Sequence, residues 1–198
     1  LLSNPKDVRV TDVDGYGIPD LAVTGAGRPG GNAAVALRAP DGTFDSMMFF
    51  PNIGYDPRSI AVEDIDGDGV TDLAVADYGD GFGDEGGVTL IMSVGNGEPV
   101  TQHRIDIAGR PGSIALADVN MDGTLDVILG NYGLSAVTLL TRDADGVVDP
   151  PRHFIVASGP NGLAVEDFSG DGAPDIALAI ASDNASLLLN QCTTPSDA

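Results

Sequence analysis

The chain has 198 residues, 42% of them hydrophobic, which is enough apolar surface for a core, and no apolar run approaches the roughly 18 residues of a membrane helix. Its 30 acidic against 9 basic residues give a formal charge of −21, which repels nucleic acid and anionic membranes at long range and makes cations the natural counterpart. A single cysteine, Cys192, excludes an internal disulfide, so packing, hydrogen bonds and metal are left to hold the core.

Hydrophobic alternation with a period of two predicts strands along the whole chain. The first unit runs Val8-Arg-Val10, an acidic loop, Leu21-Ala-Val23, Ala34-Val-Ala-Leu37, the turn Asp41-Gly42 and a strand from Phe44 to Phe50. The second runs Ile60-Ala-Val62, a loop, Leu73-Ala-Val75, Val88-Thr-Leu-Ile91, the turn Asn96-Gly97 and Gln102 to Ile107. The third runs Ile114-Ala-Leu116, a loop, Val127-Ile-Leu129, Val137-Thr-Leu-Leu140, the turn Asp145-Gly146 and His153 to Val156. The fourth stops after three strands: Leu163-Ala-Val165, a loop, Ile176-Ala-Leu178 and Leu187-Leu-Leu189. Large residues recur on one face and mostly alanine on the other, the pattern of sheets stacked closely on their neighbours.

The loops share one spelling: Asp12-Val-Asp14-Gly-Tyr16-Gly-Ile18-Pro-Asp20, Asp64-Ile-Asp66-Gly-Asp68-Gly-Val70-Thr-Asp72, Asp118-Val-Asn120-Met-Asp122-Gly-Thr124-Leu-Asp126 and Asp167-Phe-Ser169-Gly-Asp171-Gly-Ala173-Pro-Asp175. Their first aspartates lie 52, 54 and 49 residues apart, and a proline (Pro5, Pro57, Pro111, Pro160) stands seven residues upstream of each. Whole structural units therefore repeat. Units of roughly 50 residues, each with four short antiparallel strands and no helical period, predict an all-β β-propeller built of four-stranded antiparallel blades. A kelch-type repeat would share the doublets Gly30-Gly31 and Gly86-Gly87, but it leaves the acidic loops unexplained and the chain has no tryptophan.

One such loop could be a simple turn, since Asp-Gly pairs form turns and aspartates bond nearby amides. Four in one register, each gathering three or four carboxylates that repel one another, point to a cation. Calcium takes about six to eight oxygens at about 2.3–2.6 Å; carboxylates at positions 1, 3, 5 and 9, a carbonyl at 7 and a turn-permitting glycine at 6 supply most of that shell. An EF-hand would need a glutamate at position 12 and flanking helices. Position 12 is Val23, Val75, Leu129 and Leu178, inside the next strand, which excludes that motif and the dockerin.

At these residues the chain resembles the FG-GAP or VCBS repeat family, including the calcium-binding blades of integrin α-subunit propellers. The likeness consists of D-x-D-x-D-G-x-x-D between an I-A-V strand and a D-L-A-V strand, and it extends from Pro5 to Asn190. It implies that each loop joins the first and second strands of a blade and binds one calcium ion, up to four in all. Carried over by position, the second loop is complete: Asp64, Asp66, Asp68, Asp72 and the carbonyl of Val70. The third has Asp118, Asn120, Asp122, Asp126 and the Thr124 carbonyl, with a neutral oxygen at position 3. The fourth has Asp167, Asp171, Asp175 and the Ala173 carbonyl, with only the Ser169 hydroxyl at position 3. The first has Asp12, Asp14, Asp20 and the Ile18 carbonyl, with Tyr16 at position 5. Completeness falls in the order second, third, fourth, first.

The expected organisation is the end of a preceding outer strand at residues 1–4, blade 1 at 5–56, blade 2 at 57–110, blade 3 at 111–159, a three-stranded blade 4 at 160–190 and a C-terminal linker at 191–198. Leu1-Leu2-Ser3 aligns with Val156-Ala157-Ser158 at the end of a fourth strand, and no methionine or export signal opens the chain. Part of a larger propeller is therefore expected; a closed four-bladed ring, or two chains pairing into eight blades, are the alternatives.

Nothing in the sequence assembles a catalytic group. His103 and His153 fall at corresponding places on outer strands, and no Ser-His-Asp, Cys-His or zinc-type spacing includes them. The reading is of a non-enzyme. Asn184-Ala-Ser186 matches a glycosylation sequon. A long loop, Asp77-Tyr78-Gly-Asp80-Gly-Phe82-Gly-Asp84-Glu85-Gly-Gly87, lies on the face that also carries Gly27-Arg28-Pro-Gly-Gly31 and Asn131-Tyr132-Gly133, and its aromatics suit a recognition surface. The expected function is a calcium-stabilised extracellular scaffold, secreted or at the cell surface, for protein interaction or adhesion. A carbohydrate-binding propeller and a substrate-positioning module of a secreted enzyme are the alternatives. Extracellular calcium modules bind at about 10⁻⁴–10⁻³ M, so such loops fill outside a cell.

Overall fold

In the computed structural model, which describes residues 2–26, 30–44, 46–81, 85–94, 98–182 and 184–191, fifteen strands and no helix are found among those residues. The first sheet has the order β1 (Pro5–Thr11), β2 (Asp20–Gly25), β3 (Gly31–Leu37), β4 (Ser46–Gly54). The second follows with β5 (Pro57–Glu63), β6 (Asp72–Asp77), β7 (Gly87–Val94) and β8 (Glu98–Asp106). β9 (Pro111–Ala117), β10 (Asp126–Asn131), β11 (Ala136–Leu140) and β12 (Arg152–Ile155) make the third. The fourth has three strands, β13 (Pro160–Glu166), β14 (Asp175–Ile180) and β15 (Asn184–Leu188). Every pairing is antiparallel and between consecutive strands. These are propeller blades. Of the predicted segments, Gly27-Arg28-Pro29, Phe82 to Asp84, the turn at Asn96-Gly97 and the linker from Cys192 lie outside the described residues.

Each blade opens the same way because each opens on proline. Proline has no N–H for the ladder, and the register between first and second strands shifts beside Pro5, Pro57, Pro111 and Pro160. The outer strand β4 runs past its expected end at Phe50 to Gly54, which pairs with Gly31. Gly54 sits at φ +143, and a Cβ there would overlap the buried Asp77 carboxylate.

Alternation along the strands gives every blade two apolar faces. One face of blade 2 sets Ile60, Leu73, Val75 and Ile91 against Ala22, Ala33, Val35, Phe50 and Ile53 of blade 1. Its other face sets Ala61, Ala74, Ala76 and Val88 against Ile114, Val127, Leu129 and Leu140 of blade 3. Between blades 3 and 4, Ile128 and Val137 meet Leu178 and Ile180. Small alanines on the innermost strands let sheets approach, and the larger partners fill the gap, at about 1.5–3 kcal/mol for each fully buried Val, Leu or Ile. β1 packs on β5, β5 on β9 and β9 on β13. Among the described residues no contact of like extent joins β13 to β1, so the series of blades is open.

Candidate functional site

The acidic loops are built by their own carboxylates. At position 1, the Gly67 N–H donates to Asp64 Oδ1 at 2.8 Å and the Gly69 N–H to Asp64 Oδ2 at 2.9 Å. Asp12 takes the Gly15 and Gly17 N–H groups in the same way, Asp118 those of Asp122 and Gly123, and Asp167 those of Gly170, Asp171 and Gly172. These amides, Gly172 first, hold the exposed Asp167 carboxyl below the usual range despite an opposing desolvation. Position 4 needs a positive φ, met by Gly15, Gly67 and Gly170; in the third loop Met121 adopts it at +60°.

Position 9 is an anchor inside the fold. Asp20, Asp72, Asp126 and Asp175 are completely buried. Oδ2 accepts the N–H of Val13 (2.9 Å), Ile65 (3.0 Å), Val119 (3.2 Å) or Ser169 (2.9 Å), closing the loop. Oδ1 of Asp20, Asp126 and Asp175 accepts the N–H of Arg38, Arg142 and Asn190, just past the third strand. Burial pushes the Asp126 carboxyl up, against the pull of its two N–H donors, and Asp122 and Asp118 add to the rise.

In two loops three carboxylates converge: Asp12, Asp14 and Asp20, and Asp64, Asp66 and Asp72, with one oxygen from each within 4.8 Å of the others. Oxygens bound to one calcium lie within roughly 5 Å of each other, twice the calcium–oxygen distance, so both triads fit a hard divalent cation. The Asp14 carboxyl is raised chiefly by desolvation, against the pull of the Tyr16 N–H, with Asp20 and Asp12 adding to the rise. Position 5 stands outside both triads. Asp68 accepts the Val70 N–H at 2.8 Å, Asp122 the Thr124 N–H and hydroxyl, and Asp171 the Ala173 N–H at 3.0 Å. The hydroxyl of Thr124 leads the lowering of the Asp122 carboxyl. Tyr16, 77% exposed at that position, therefore leaves the first triad intact. In the third and fourth loops Asn120 and Ser169 occupy position 3, the Asn120 amide donating to Asp122 at 2.8 Å and the Ser169 hydroxyl to Asp167 at 3.4 Å. Among the described residues these two loops gather no carboxylate triad. Of the position-7 residues, Ile18, Val70 and Thr124 are half-buried and Ala173 is buried.

Two side chains that the sequence reading passed over tie these loops together. The Arg142 guanidinium donates to the carbonyl of Ile65, and the Asn190 amide to that of Val119 at 2.7 Å, each reaching position 2 of the preceding blade's loop. Their signal was positional: both stand just past a third strand, as Arg38 does.

Antiparallel order puts the β2–β3, β6–β7 and β10–β11 connections at the opposite end of the blades. There the Arg58 guanidinium lies 3.4 Å from the centre of the Tyr78 ring, with Arg110 at 5.6 Å. The Tyr132 ring is 6.1 Å away at 42°, and Tyr132 is 39% exposed. Asp56 holds Arg58 at 2.8 Å and Lys6 at 3.8 Å. Arg58 and Arg110 flank Pro57 and Pro111, so the repeat marked their places although it did not show their stacking. His153 pairs with the Thr138 hydroxyl at 2.9 Å, and His103 is exposed on β8.

Among proteins of curated function, none matches the chain in sequence. Its fold is similar to that of a chain in the crystal structure of BBS1N in complex with ARL6DN, soaked with mercury: TM-score 0.59, 12% identity, over 94% of this chain and 58% of that one. The chain thus spans less than two thirds of the length of that neighbour. A family model for the FG-GAP-like repeat matches residues 12–75 and 118–178, which take in all four acidic loops and most of the inner strands. The chain belongs to the FG-GAP-like repeat family.

Proposed function

We propose that this chain is a non-catalytic, calcium-stabilised propeller segment that works outside the cell as a scaffold for protein interaction, of the kind that serves adhesion. The convergence of the triads Asp12–Asp14–Asp20 and Asp64–Asp66–Asp72 in one register of adjacent blades carries the calcium part. Loops 3 and 4 would hold an ion more weakly, through Asp118, Asn120, Asp122 and Asp126, and through Asp167, Ser169, Asp171 and Asp175. The ion's role would be to neutralise carboxylates and fix the loops; affinities of extracellular modules fit that setting. A further reading is that additional blades complete the ring.

The interaction face would be the end opposite the acidic loops, where Arg58, Tyr78, Arg110 and Tyr132 stack. Aromatics and arginines are the residues that dominate protein interfaces. The Tyr78 ring has Arg58 against one face, which disfavours a stacked sugar and so favours a protein partner over a glycan.

The test is thermal unfolding in millimolar calcium and in chelator. Saturation of a loop adds about 1.4–2.3 kcal/mol at ten- to fifty-fold excess over its dissociation constant. Asp66→Asn is expected to remove part of the calcium-dependent rise; an identical midpoint in calcium and chelator would refute the calcium reading. Binding to a broad glycan array that is lost in Tyr132→Ala would refute the preference for a protein partner.

A further inference from the structure

Blade 3 has a short outer strand, and the shortening opens a groove against blade 2. β4 and β8 have 9 residues each, whereas β12 has 4 and pairs with β11 only from Ala136–Ile155 to Leu139–Arg152. Ahead of Arg152 stand Pro150 and Pro151, which have no N–H to extend the ladder. The chain instead crosses from Thr141 to Asp149 in a turn held by its own hydrogen bonds: the Asp143 carboxylate accepts the N–H groups of Asp145 at 3.1 Å and Val147 at 2.9 Å, and Asp149 accepts the Thr141 hydroxyl at 2.9 Å.

Between that turn and the outer strands of blade 2 lies a groove of about 690 Å³, the size of a ligand site. Both sides belong to blades whose four strands are all present, so the groove is internal to the series. Blade 2 contributes Leu90, Met92 and Ile105; blade 3 contributes Val147, 61% exposed, and Pro150. No aromatic ring is among the described residues that line it, so a sugar has no stacking platform there. Its ionisable groups are the exposed Asp66, Asp145, Asp149 and His103, and the buried Arg142. The Arg142 guanidinium is turned to the Ile65 carbonyl, and its buried Nε has no partner among the described atoms, which leaves a donor at the groove for a peptide carbonyl. Three exposed carboxylates thus face one arginine whose charge is directed inward. The groove lies at the acidic-loop end of the blades, away from the stack of Arg58 on Tyr78.

We infer that this groove binds an extended aliphatic segment of a partner protein that carries a lysine or arginine. The aliphatic side chains bury against Leu90, Met92, Ile105 and Val147, and the cation meets Asp145 and Asp149. Charge complementarity selects the occupant: a chain of formal charge −21 presents carboxylates around an apolar centre, which draws a basic segment and repels an acidic one. Asp66 belongs also to the triad of the second loop, whereas Asp145 and Asp149 belong to neither triad, so the last two report on the groove alone.

The test is fluorescence polarisation with a synthetic set of labelled pentapeptides that have lysine, arginine, serine or glutamate at the centre and leucine or valine on both sides. It is run on the purified chain in about 0.15 M salt, where charges more than about 8 Å apart are screened. Lysine- and arginine-centred peptides are expected to bind about tenfold or more tighter than glutamate-centred ones. Asp145→Asn and Asp149→Asn should each weaken that binding about two- to five-fold, and Val147→Glu about tenfold, by placing a charge on the apolar side. Glu166→Gln, an exposed carboxylate on blade 4, removes the same net charge and should leave binding unchanged. Circular dichroism and thermal midpoint establish that each variant folds. Equal affinity for lysine- and glutamate-centred peptides, or no binding of either, overturns the inference. So does equal weakening by Glu166→Gln and Asp145→Asn, which would show attraction to net charge alone, and so does undiminished binding in Val147→Glu. None of these results depends on whether the loops hold calcium or on the face that carries Tyr78.

Discussion

The amide of Asn190 donates to the carbonyl of Val119 at 2.7 Å, while the Asn190 backbone N–H donates to Asp175 at 2.7 Å, so one residue ties the acidic loop of its own blade to that of the blade before. Arg142 repeats the device one blade earlier, between Asp126 and Ile65. The second, third and fourth loops are thus fastened in series.

Removing the fastening should therefore cost stability. Asn190→Ala is expected to lower it by about 0.5–1.5 kcal/mol, the worth of the hydrogen bond from its amide to the Val119 carbonyl. Arg142 is 7% exposed and its Nε has no hydrogen-bond partner among the described atoms, so Arg142→Met, which restores apolar volume, should cost less than Arg142→Ala. Urea midpoints at unchanged m-value measure both; equal losses in the two Arg142 variants would show that packing of the stem contributes nothing.

Position 9 and position 3 of the loops should respond differently to loss of charge. Asp126→Asn places an amide where two backbone N–H groups are already directed, at a completely buried site, and is expected to destabilise the protein by about 2–3 kcal/mol even in chelator. Asp66 is exposed, and Asp66→Asn should change stability in chelator by less than about 0.5 kcal/mol. Its effect should be confined to the calcium-dependent increment seen by calorimetry.

Met121 holds a left-handed conformation, φ +60°, at the position where the other loops carry glycine. That conformation costs an L-residue about 1–2 kcal/mol, partly offset by the entropy that glycine loses on folding. Met121→Gly is expected to raise stability by about 0.5–1 kcal/mol, read as a higher thermal midpoint. A fall would mean that the Met121 side chain makes a contact worth more than the strain.

The hairpin carboxylate Asp41 accepts the hydroxyl of Thr43 at 2.6 Å and its N–H at 2.9 Å, and these hold its carboxyl below the ordinary 3.8, the hydroxyl first. A depressed acid stabilises the fold above its unfolded value, and that contribution disappears as pH falls through the folded value. Carbon-detected NMR titration should find Asp41 below the ordinary value and Thr43→Val moving it back up.

The repeat was legible in the sequence because its causes are local. Alternation with a period of two places strands, proline interrupts the ladder beside each first strand, and Asp-Gly spacing bends each loop on its own amides; strands and loops stand where those signals lie. The chemistry was legible only in part. Sequence spacing ranked the first loop last because Tyr16 replaces a carboxylate, yet in the second loop Asp68 at that position turns back on Val70 and leaves the triad to positions 1, 3 and 9. The fastening of Arg142 on Ile65 and of Asn190 on Val119 spans 77 and 71 residues, and the stack of Arg58 on Tyr78 joins β5 to the connection that follows β6. By itself the sequence determined the blade, its strand order and where carboxylates concentrate, since these follow from neighbours within a few residues. Only the tertiary structure decided which carboxylates converge and which side chains join one blade to the next, because those depend on how separately formed sheets stack.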